Sequence, residues 1–394
     1  MNYPKIILKP GKEQSSKRYH PWIFSGAIKS NTQQLSEGEL VEVYSSNNEF
    51  LAIGHYQIGS IAIRVLSFDK IDIDQEFWNK KIESAFALRK MLGLAENKNN
   101  NVYRLIHGEG DGLPGLIIDF YNGTAVTQMH SIGMYLSKDQ VVKALQNIYG
   151  KTLLAVYDKS ESTIPFKSDI HPKNGYLNGS LSEDIVLEYG NKFKISWEEG
   201  QKTGFFIDQR ENRKLLSEYA KNRSVLNVFG YTGGFSVYAM RGGAKIVHSV
   251  DSSQIAINLT NENIELNFGK NNIHESFAVD AFEYLHSIDQ KYDLIILDPP
   301  AFAKHTNALK NALQGYKRLN AQAIEKIKPG GIIFTFSCSQ VVSKEEFRKS
   351  VFAAAANTGR NVRILHQLTQ PGDHPVSMYH PEGEYLKGLV IYVE

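Results

Sequence analysis

The chain has 394 residues, 42% hydrophobic and 22% charged, ordinary values for a soluble globular protein and enough length for two or three domains. Its one cysteine, Cys338, excludes a disulfide framework and a multi-cysteine zinc site. A formal net charge of +2 supplies no bulk attraction to a polyanion, so a nucleic-acid partner would need a local basic surface.

No apolar run reaches the roughly 18 residues of a membrane helix, and the N-terminus lacks the h-region of a signal peptide. A cytoplasmic, reducing setting fits this residue usage. The first seventy or so residues read as short strands, Lys5 to Leu8, Glu39 to Tyr44, Phe50 to Tyr56 and Ile61 to Leu66. Gly38, Gly54 and Gly59 punctuate them, as in a small barrel. Asp74 to Leu92 follows, with Phe77, Ile82, Ala85, Phe86 and Leu88 at helical spacing. The polar run Glu96 to Asn101 is expected to loop out. Residues 103–185 mix short strands with one helix over Lys138 to Ile148.

From about residue 190 strands alternate with helices. The strand candidates are Ser224 to Phe229, Lys245 to Asp251, a weaker Ile273 to Asp280, Tyr292 to Asp298 and Gly331 to Cys338. Helical stretches such as Gln254 to Leu266 and Ala312 to Ile327 separate them. Such alternation predicts a mainly parallel sheet with helices on both faces. Val362 to Leu368 and Lys387 to Val393, with no long helix between, suit an antiparallel pair at the sheet edge.

The chemistry gathers at strand ends. The strand through Val228 runs into Phe229-Gly230-Tyr231-Thr232-Gly233-Gly234 and then a helix. Glycines there allow a sharp turn and close approach of backbone to a ligand, and the helix N-terminus offers N–H groups. Asp251 ends the next strand, where a carboxylate can accept from ribose hydroxyls. Asp280 ends the third, within reach of an adenine amino group. Asp298-Pro299-Pro300 follows the fourth, a rigid turn that presents polar groups to a planar base. The plain alternative is that each Asp only caps the helix after it. All three with the glycine turn point to a nucleotide-type ligand. With neither GxGxxG nor GxxxxGK[ST], the pattern fits S-adenosylmethionine better than NAD or ATP.

Ser337-Cys338-Ser339 ends the fifth strand, which lies beside the fourth in this sheet type, so Cys338 and Asp298 share one cleft. A partly exposed thiol there can act as a nucleophile; the alternative is a buried structural cysteine. Gln209 and Arg210 open a helix, Arg210 to Tyr219, that can close over cofactor or substrate, or can simply be a solvated helix start. His374 and His380 have no metal-ligand spacing and read as loop or surface residues, with lining of the cleft as the alternative, so no metal is expected.

Motifs along nearly the whole chain resemble those of the cytosine carbon-5 methyltransferases of bacterial large-subunit (23S) ribosomal RNA. They are His20-Pro21-Trp22-Ile23-Phe24-Ser25-Gly26-Ala27-Ile28, Tyr103-Arg104-Leu105-Ile106-His107-Gly108-Glu109, Asp111-Gly112-Leu113-Pro114-Gly115, Lys202-Thr203-Gly204, Asp208-Gln209-Arg210, Tyr231 to Phe235, Asp298-Pro299-Pro300, Thr335 to Ser339, Asp373-His374-Pro375 and Tyr385-Leu386-Lys387-Gly388. The chain departs from the pattern with Gly230 in place of a small polar residue and Ala301 in place of lysine, the next lysine being Lys304.

The resemblance implies an N-terminal PUA-like β-barrel that binds RNA (1–72), a central α+β domain (73–189), and a Rossmann-like, seven-stranded class I methyltransferase domain (190–394). It implies S-adenosylmethionine held by Asn227, Phe229, Gly230, Tyr231, Thr232, Gly233, Gly234, Asp251, Ser252, Asp280, Ala281, Asp298 and Pro299. It implies ribosomal RNA as partner, contacted by Gln209, Arg210, Pro300, Lys304, Trp22 and Arg18. Further candidates are Lys9, Lys12, Lys17, Tyr19, Lys29 and Arg64, for which a solvated basic face is the alternative. It implies that Cys338 and Asp298 carry the catalysis, with the cytosine unpaired or flipped out. A homodimer is compatible with this picture. The competing readings are a guanine-nitrogen methyltransferase of the same fold, a methyltransferase of proteins or small molecules, and a non-catalytic ribosome-assembly factor.

Overall fold

The structure, a computed structural model, describes residues 3–29, 34–165, 170–180 and 184–394. The chain forms two compact units. The first runs to Val186 and adds Ile195–Phe205 and Gly372–Gly383; the second comprises Leu187–Lys194, Phe206–Pro371 and Glu384–Glu394.

In the first unit, strands Lys5–Ile7, Trp22–Phe24, Leu40–Tyr44, Phe50–Tyr56 and Ile61–Ser67 make a five-stranded sheet with the first and second strands at its edges. Ile6, Leu8, Ile23, Val41, Val43, Ile63 and Val65 fill its core. A second five-stranded sheet takes Val102–His107, Leu116–Tyr121, Thr124–Met129, Ala155–Asp158 and Gly175–Asn178 in sequential order. Helices Gln75–Met91 and Lys138–Tyr149 accompany it. The Asp74 carboxylate starts the first of these by accepting from Phe77 N at 3.0 Å. Ile53 and Leu66 of the first sheet join Phe77, Trp78, Ile82, Leu105 and Ile118 in one apolar cluster, so the two sheets share a core.

Several motif residues in this unit are ties. Buried Arg89 donates to both Asp111 oxygens (2.5 and 2.8 Å) and to the carbonyls of Ala85, Arg104 and Asp373. That uses all five guanidinium donors, the condition under which a buried charge is tolerable. Arg104 grips both Asp119 oxygens at 2.8 Å, and its backbone N donates to Asp373 at 3.0 Å. His374 and His380, expected in loops or at the surface, lie in loop but are buried. The His374 ring meets Asp373 at 3.1 Å and His380 packs on Trp22, with ring centroids 4.3 Å apart. The polar run at 96–101 turns at the surface, yet Asn100 points inward and its amide donates to the carbonyls of Leu94 and Val102.

The second unit is built on strands β1 (Ser224–Val228), β2 (Ile246–Asp251), β3 (His274–Ala278), β4 (Leu294–Leu297), β5 (Gly331–Ser337), β6 (Val362–Leu368) and β7 (Lys387–Val393). Their order in the sheet is β3-β2-β1-β4-β5-β7-β6. The first five are parallel, and β7 runs antiparallel to both β5 and β6. Helices α1 (Arg210–Tyr219), α2 (Gly234–Arg241), α3 (Gln254–Phe268), α4 (Ala281–Ser287), α5 (Leu309–Lys326) and α6 (Lys344–Thr358) complete it. β1, β4 and β5 are buried along their whole length, as apolar runs in a covered parallel sheet should be. The strand order reverses at β1, between β2 and β4, which opens a crevice at the carboxyl ends of these strands.

The expected α/β class with its seven-stranded sheet is what the chain adopts. Ladders stop one residue sooner than the apolar runs suggest. β4 ends at Leu297 because Pro299 has no N–H to give, and β5 ends at Ser337. Asp298 and Cys338 are therefore the first residues beyond two adjacent strands.

Candidate functional site

The site occupies the carboxyl ends of β1, β2, β4 and β5. After β1, Phe229, Tyr231 and Gly233 all take positive φ, at 63°, 44° and 75°. For Phe and Tyr this is an unfavourable backbone, of the kind found where a loop is shaped for a ligand. Asp251 stabilises the loop: one carboxylate oxygen accepts from Tyr231 N at 3.0 Å and the other from Ser253 N at 2.9 Å. From α3, Thr260 donates to Tyr231 O at 2.7 Å and Asn263 to Thr232 O at 2.9 Å. A Cβ at Gly233 would lie 2.7 Å from the Thr260 methyl, and one at Gly234 would lie 3.1 Å from Arg213 Cδ. A side chain at Gly233 would have to displace Thr260 at a φ that disfavours it, and one at Gly234 would press on the Arg213 side chain.

Beneath the loop, Asn227 donates to Ser236 at 2.9 Å; Ser236 and Ser249 hydroxyls lie 2.7 Å apart, and Ser249 is 2.8 Å from His274 Nε2. The other Asn227 amide atom, Oδ1, is buried without a hydrogen-bond partner. Burial lowers the His274 pKa to about 4, so the ring is neutral and the relay carries no charge at neutral pH.

The remaining cofactor candidates are spread along this edge. Asp280 is exposed and caps α4, its Oδ1 accepting from Phe282 N and Glu283 N. Ser252 is exposed, whereas Ala281 and Pro299 are buried. Asp298 is half-buried, and Pro300 and Lys304 are exposed just beyond it.

Cys338 is half-buried. Its neighbour Ser339 ties the two strand ends together. The Ser339 hydroxyl accepts from Ala303 N at 3.3 Å and lies 3.0 Å from the Tyr316 hydroxyl on α5. The loop that begins at Asp298 therefore packs against the residue after Cys338. Lys387, at the start of β7, is buried and donates to the carbonyls of Ser339 (2.5 Å) and Tyr385 (2.6 Å). The sequence shows Lys387 within a motif but gives it no role at the site, because only the antiparallel register of β7 on β5 brings it there.

Gln209 and Arg210 are both buried. The Gln209 side-chain oxygen Oε1 accepts from the Asn212 side-chain amide at 2.6 Å. The segment before α1 is fixed by Arg213, which donates to both oxygens of buried Glu188 (2.9 and 2.7 Å) and to Phe206 O at 2.9 Å. In the first unit, Lys9, Lys12, Lys17, Arg18, Tyr19 and Lys29 are exposed. Lys17 pairs with Glu49 at 2.6 Å, Arg64 is partly buried against Gln57, and Trp22 donates to Glu109 at 2.8 Å.

Comparison with known proteins agrees with this architecture. A family model described as S-adenosylmethionine-dependent methyltransferase matches residues 166–377, and one described as PUA-like domain matches residues 6–68. A protein of Aliivibrio fischeri named ribosomal RNA large subunit methyltransferase I is 39% identical over 395 residues, covering 98% of this chain and 99% of its own. Its namesake from Alteromonas mediterranea is 37% identical over 395 residues, covering 99% and 98%. A crystal structure of a methyltransferase complexed with S-adenosylhomocysteine is similar with a TM-score of 0.84 at 25% identity, covering 99% of this chain and all of that one.

Proposed function

The chain belongs to the ribosomal RNA large subunit methyltransferase I family, an S-adenosylmethionine-dependent enzyme family, and from that premise we propose that it methylates carbon 5 of a cytosine in large-subunit ribosomal RNA through a covalent Cys338 adduct. The observation that carries the reading is the placement of the chain's one cysteine at the end of β5, beside the loop that begins at Asp298.

The residues at the strand ends suit the cofactor. The positive-φ loop after β1 presents backbone, and the buried Asn227 Oδ1 beneath it lacks a donor. Asp251 already accepts two N–H groups, yet two carboxylate oxygens have about four acceptor sites, which leaves room for ribose hydroxyls. Asp280 retains Oδ2 for the adenine edge. Phe229 to Gly234, Ser252, Ala281 and Pro299 would line the same crevice. When bound, S-adenosylmethionine supplies a methyl group made electrophilic by its sulfonium.

The cytosine ring needs help from the protein, because carbon 5 is a poor nucleophile. Cys338 Sγ adds to carbon 6 and the π pair of the 5,6-bond moves to carbon 5, the atom that is methylated. A base takes the carbon-5 proton, the carbon–hydrogen bond pair remakes the 5,6-bond, and Sγ leaves with the carbon–sulfur pair. Asp298 holds the polar edge of the ring, and Pro300 and Lys304 stand where the base enters. A guanine nitrogen carries its own lone pair and would need no thiol, so the position of Cys338 favours cytosine. The exposed Lys12, Arg18, Tyr19 and Lys29 suit RNA phosphates and bases.

The test is transfer of labelled methyl from S-adenosylmethionine to RNA from cells lacking the protein, followed by nucleoside analysis. The expected product is 5-methylcytidine. Label in another nucleoside would discard the Cys338 mechanism.

A further inference from the structure

We propose that Lys387 is a positioning residue that holds the Cys338 sulfur as a thiolate, by fixing a buried ammonium beside it. The inference rests on the covalent reading of Cys338 given above.

β7 runs antiparallel to β5 with Lys387 opposite Ser337, the residue before Cys338. The Lys387 side chain is only 5% exposed at residue level, yet it reaches two carbonyl oxygens, those of Ser339 and Tyr385. An ammonium has three donors, and these two bonds fix its position while using two of them. A buried ammonium is costly unless an anion answers it. Among the described residues no carboxylate pairs with Lys387.

Two charged or titratable groups act on it. Cys338 favours its charged form, and Lys344, exposed on α6 and held by Glu384 at 2.7 Å, opposes it. Burial lowers its pKa to about 8, still above neutrality, so the ammonium is mainly protonated at pH 7. The attraction is mutual: a positive charge that a thiolate stabilises must also favour the thiolate. The thiol proton leaves to solvent and the sulfur pair remains, facing the ammonium until it attacks carbon 6. When the adduct breaks, the pair returns to the same sulfur opposite the same charge. Above about pH 8 the ammonium loses its proton and this support fades.

Because the chain has one cysteine, alkylation by iodoacetamide reads Cys338 alone. The measurement is alkylation rate against pH on the full-length protein, for wild type, Lys387→Met and Lys387→Arg. The wild-type profile is expected to inflect at least about one unit below the ordinary thiol near 8.5. Lys387→Met should shift it upward by about one unit or more, roughly a tenfold loss of thiolate at pH 7, while Lys387→Arg stays close to wild type. A purely structural Lys387 would change melting temperature and leave the inflection in place, which overturns the proposal. If Lys387→Met does not fold, the wild-type profile decides, and an inflection at 8.5 or above overturns it. Product analysis is a separate readout. A low, Lys387-dependent inflection without 5-methylcytidine retains the ion pair and discards the cytosine reading. An ordinary inflection with 5-methylcytidine does the reverse.

Discussion

Cys338 and Asp298 owe their positions to where two ladders stop. Pro299 ends β4 for want of a donor, and Cys338 stands one residue past β5. Substitution of Cys338 by alanine should lower methyl transfer by on the order of 10³-fold or more, as removal of a nucleophile does elsewhere, with cofactor affinity unchanged by calorimetry. Near-normal turnover in that variant would remove the covalent route. Both residues were legible in the sequence because each directly follows an apolar run. The nearness of Lys387 to Cys338 was not, since it depends on the pairing of strands about fifty positions apart. The burial of His374 and His380 was equally hidden, because a loop has no periodicity from which to read which side faces inward. Asp280 shows the limit of reading acidic strand ends alike: it caps α4, whereas Asp251 stabilises the glycine turn and the next helix is capped by Ser253.

Among the elements, the turn between β1 and α2 is the most constrained. Gly233→Ala places a Cβ 2.7 Å from Thr260 at a φ of 75°, and should cost about 1–3 kcal/mol of stability together with a weaker cofactor site. Urea denaturation and cofactor titration would show it, and an unchanged midpoint would mean that the turn relaxes at no cost. A second constraint holds α1. Glu188, on the strand Ile185–Glu188, meets Arg213 through two bonds and Tyr238 at 3.0 Å, all buried. Glu188→Ala leaves the Arg213 guanidinium buried without its anion, and a loss of about 3–5 kcal/mol is expected in the same urea assay. Replacing both partners with apolar residues should recover part of that loss. The parallel strands were readable because β1, β4 and β5 are mostly apolar and buried along their whole length. β3 gave a weaker signal because it is an edge strand and only half-covered, so its residues need not be apolar.

At the scale of the molecule, neutral histidines shape its response to acid. Burial lowers His55 and His130 to about pKa 4 and His107 well below the usual imidazole range, and it lowers His380 too. All four lie in the first unit; His248 and His274 lie in the second. In the unfolded chain each imidazole takes a proton near pH 6.5. Between that pH and the lower folded values, the unfolded state binds more protons, so stability falls as pH drops from about 6.5 towards 4. His55 and His130, about two and a half units below the free value, should each account for a loss on the order of 1–3 kcal/mol by the end of that window. The chain reports this unevenly in a useful way. All three tryptophans, Trp22, Trp78 and Trp197, belong to the first unit, so tryptophan fluorescence follows that unit's unfolding. Urea titrations at pH 7.5, 6 and 5 should therefore show the fluorescence midpoint moving to lower urea at each step. His55→Gln should flatten that dependence, because an amide has no proton to gain. A midpoint constant from pH 7.5 to 5 would mean that these rings are already solvated, and that the first unit's core opens to water more readily than its packing implies.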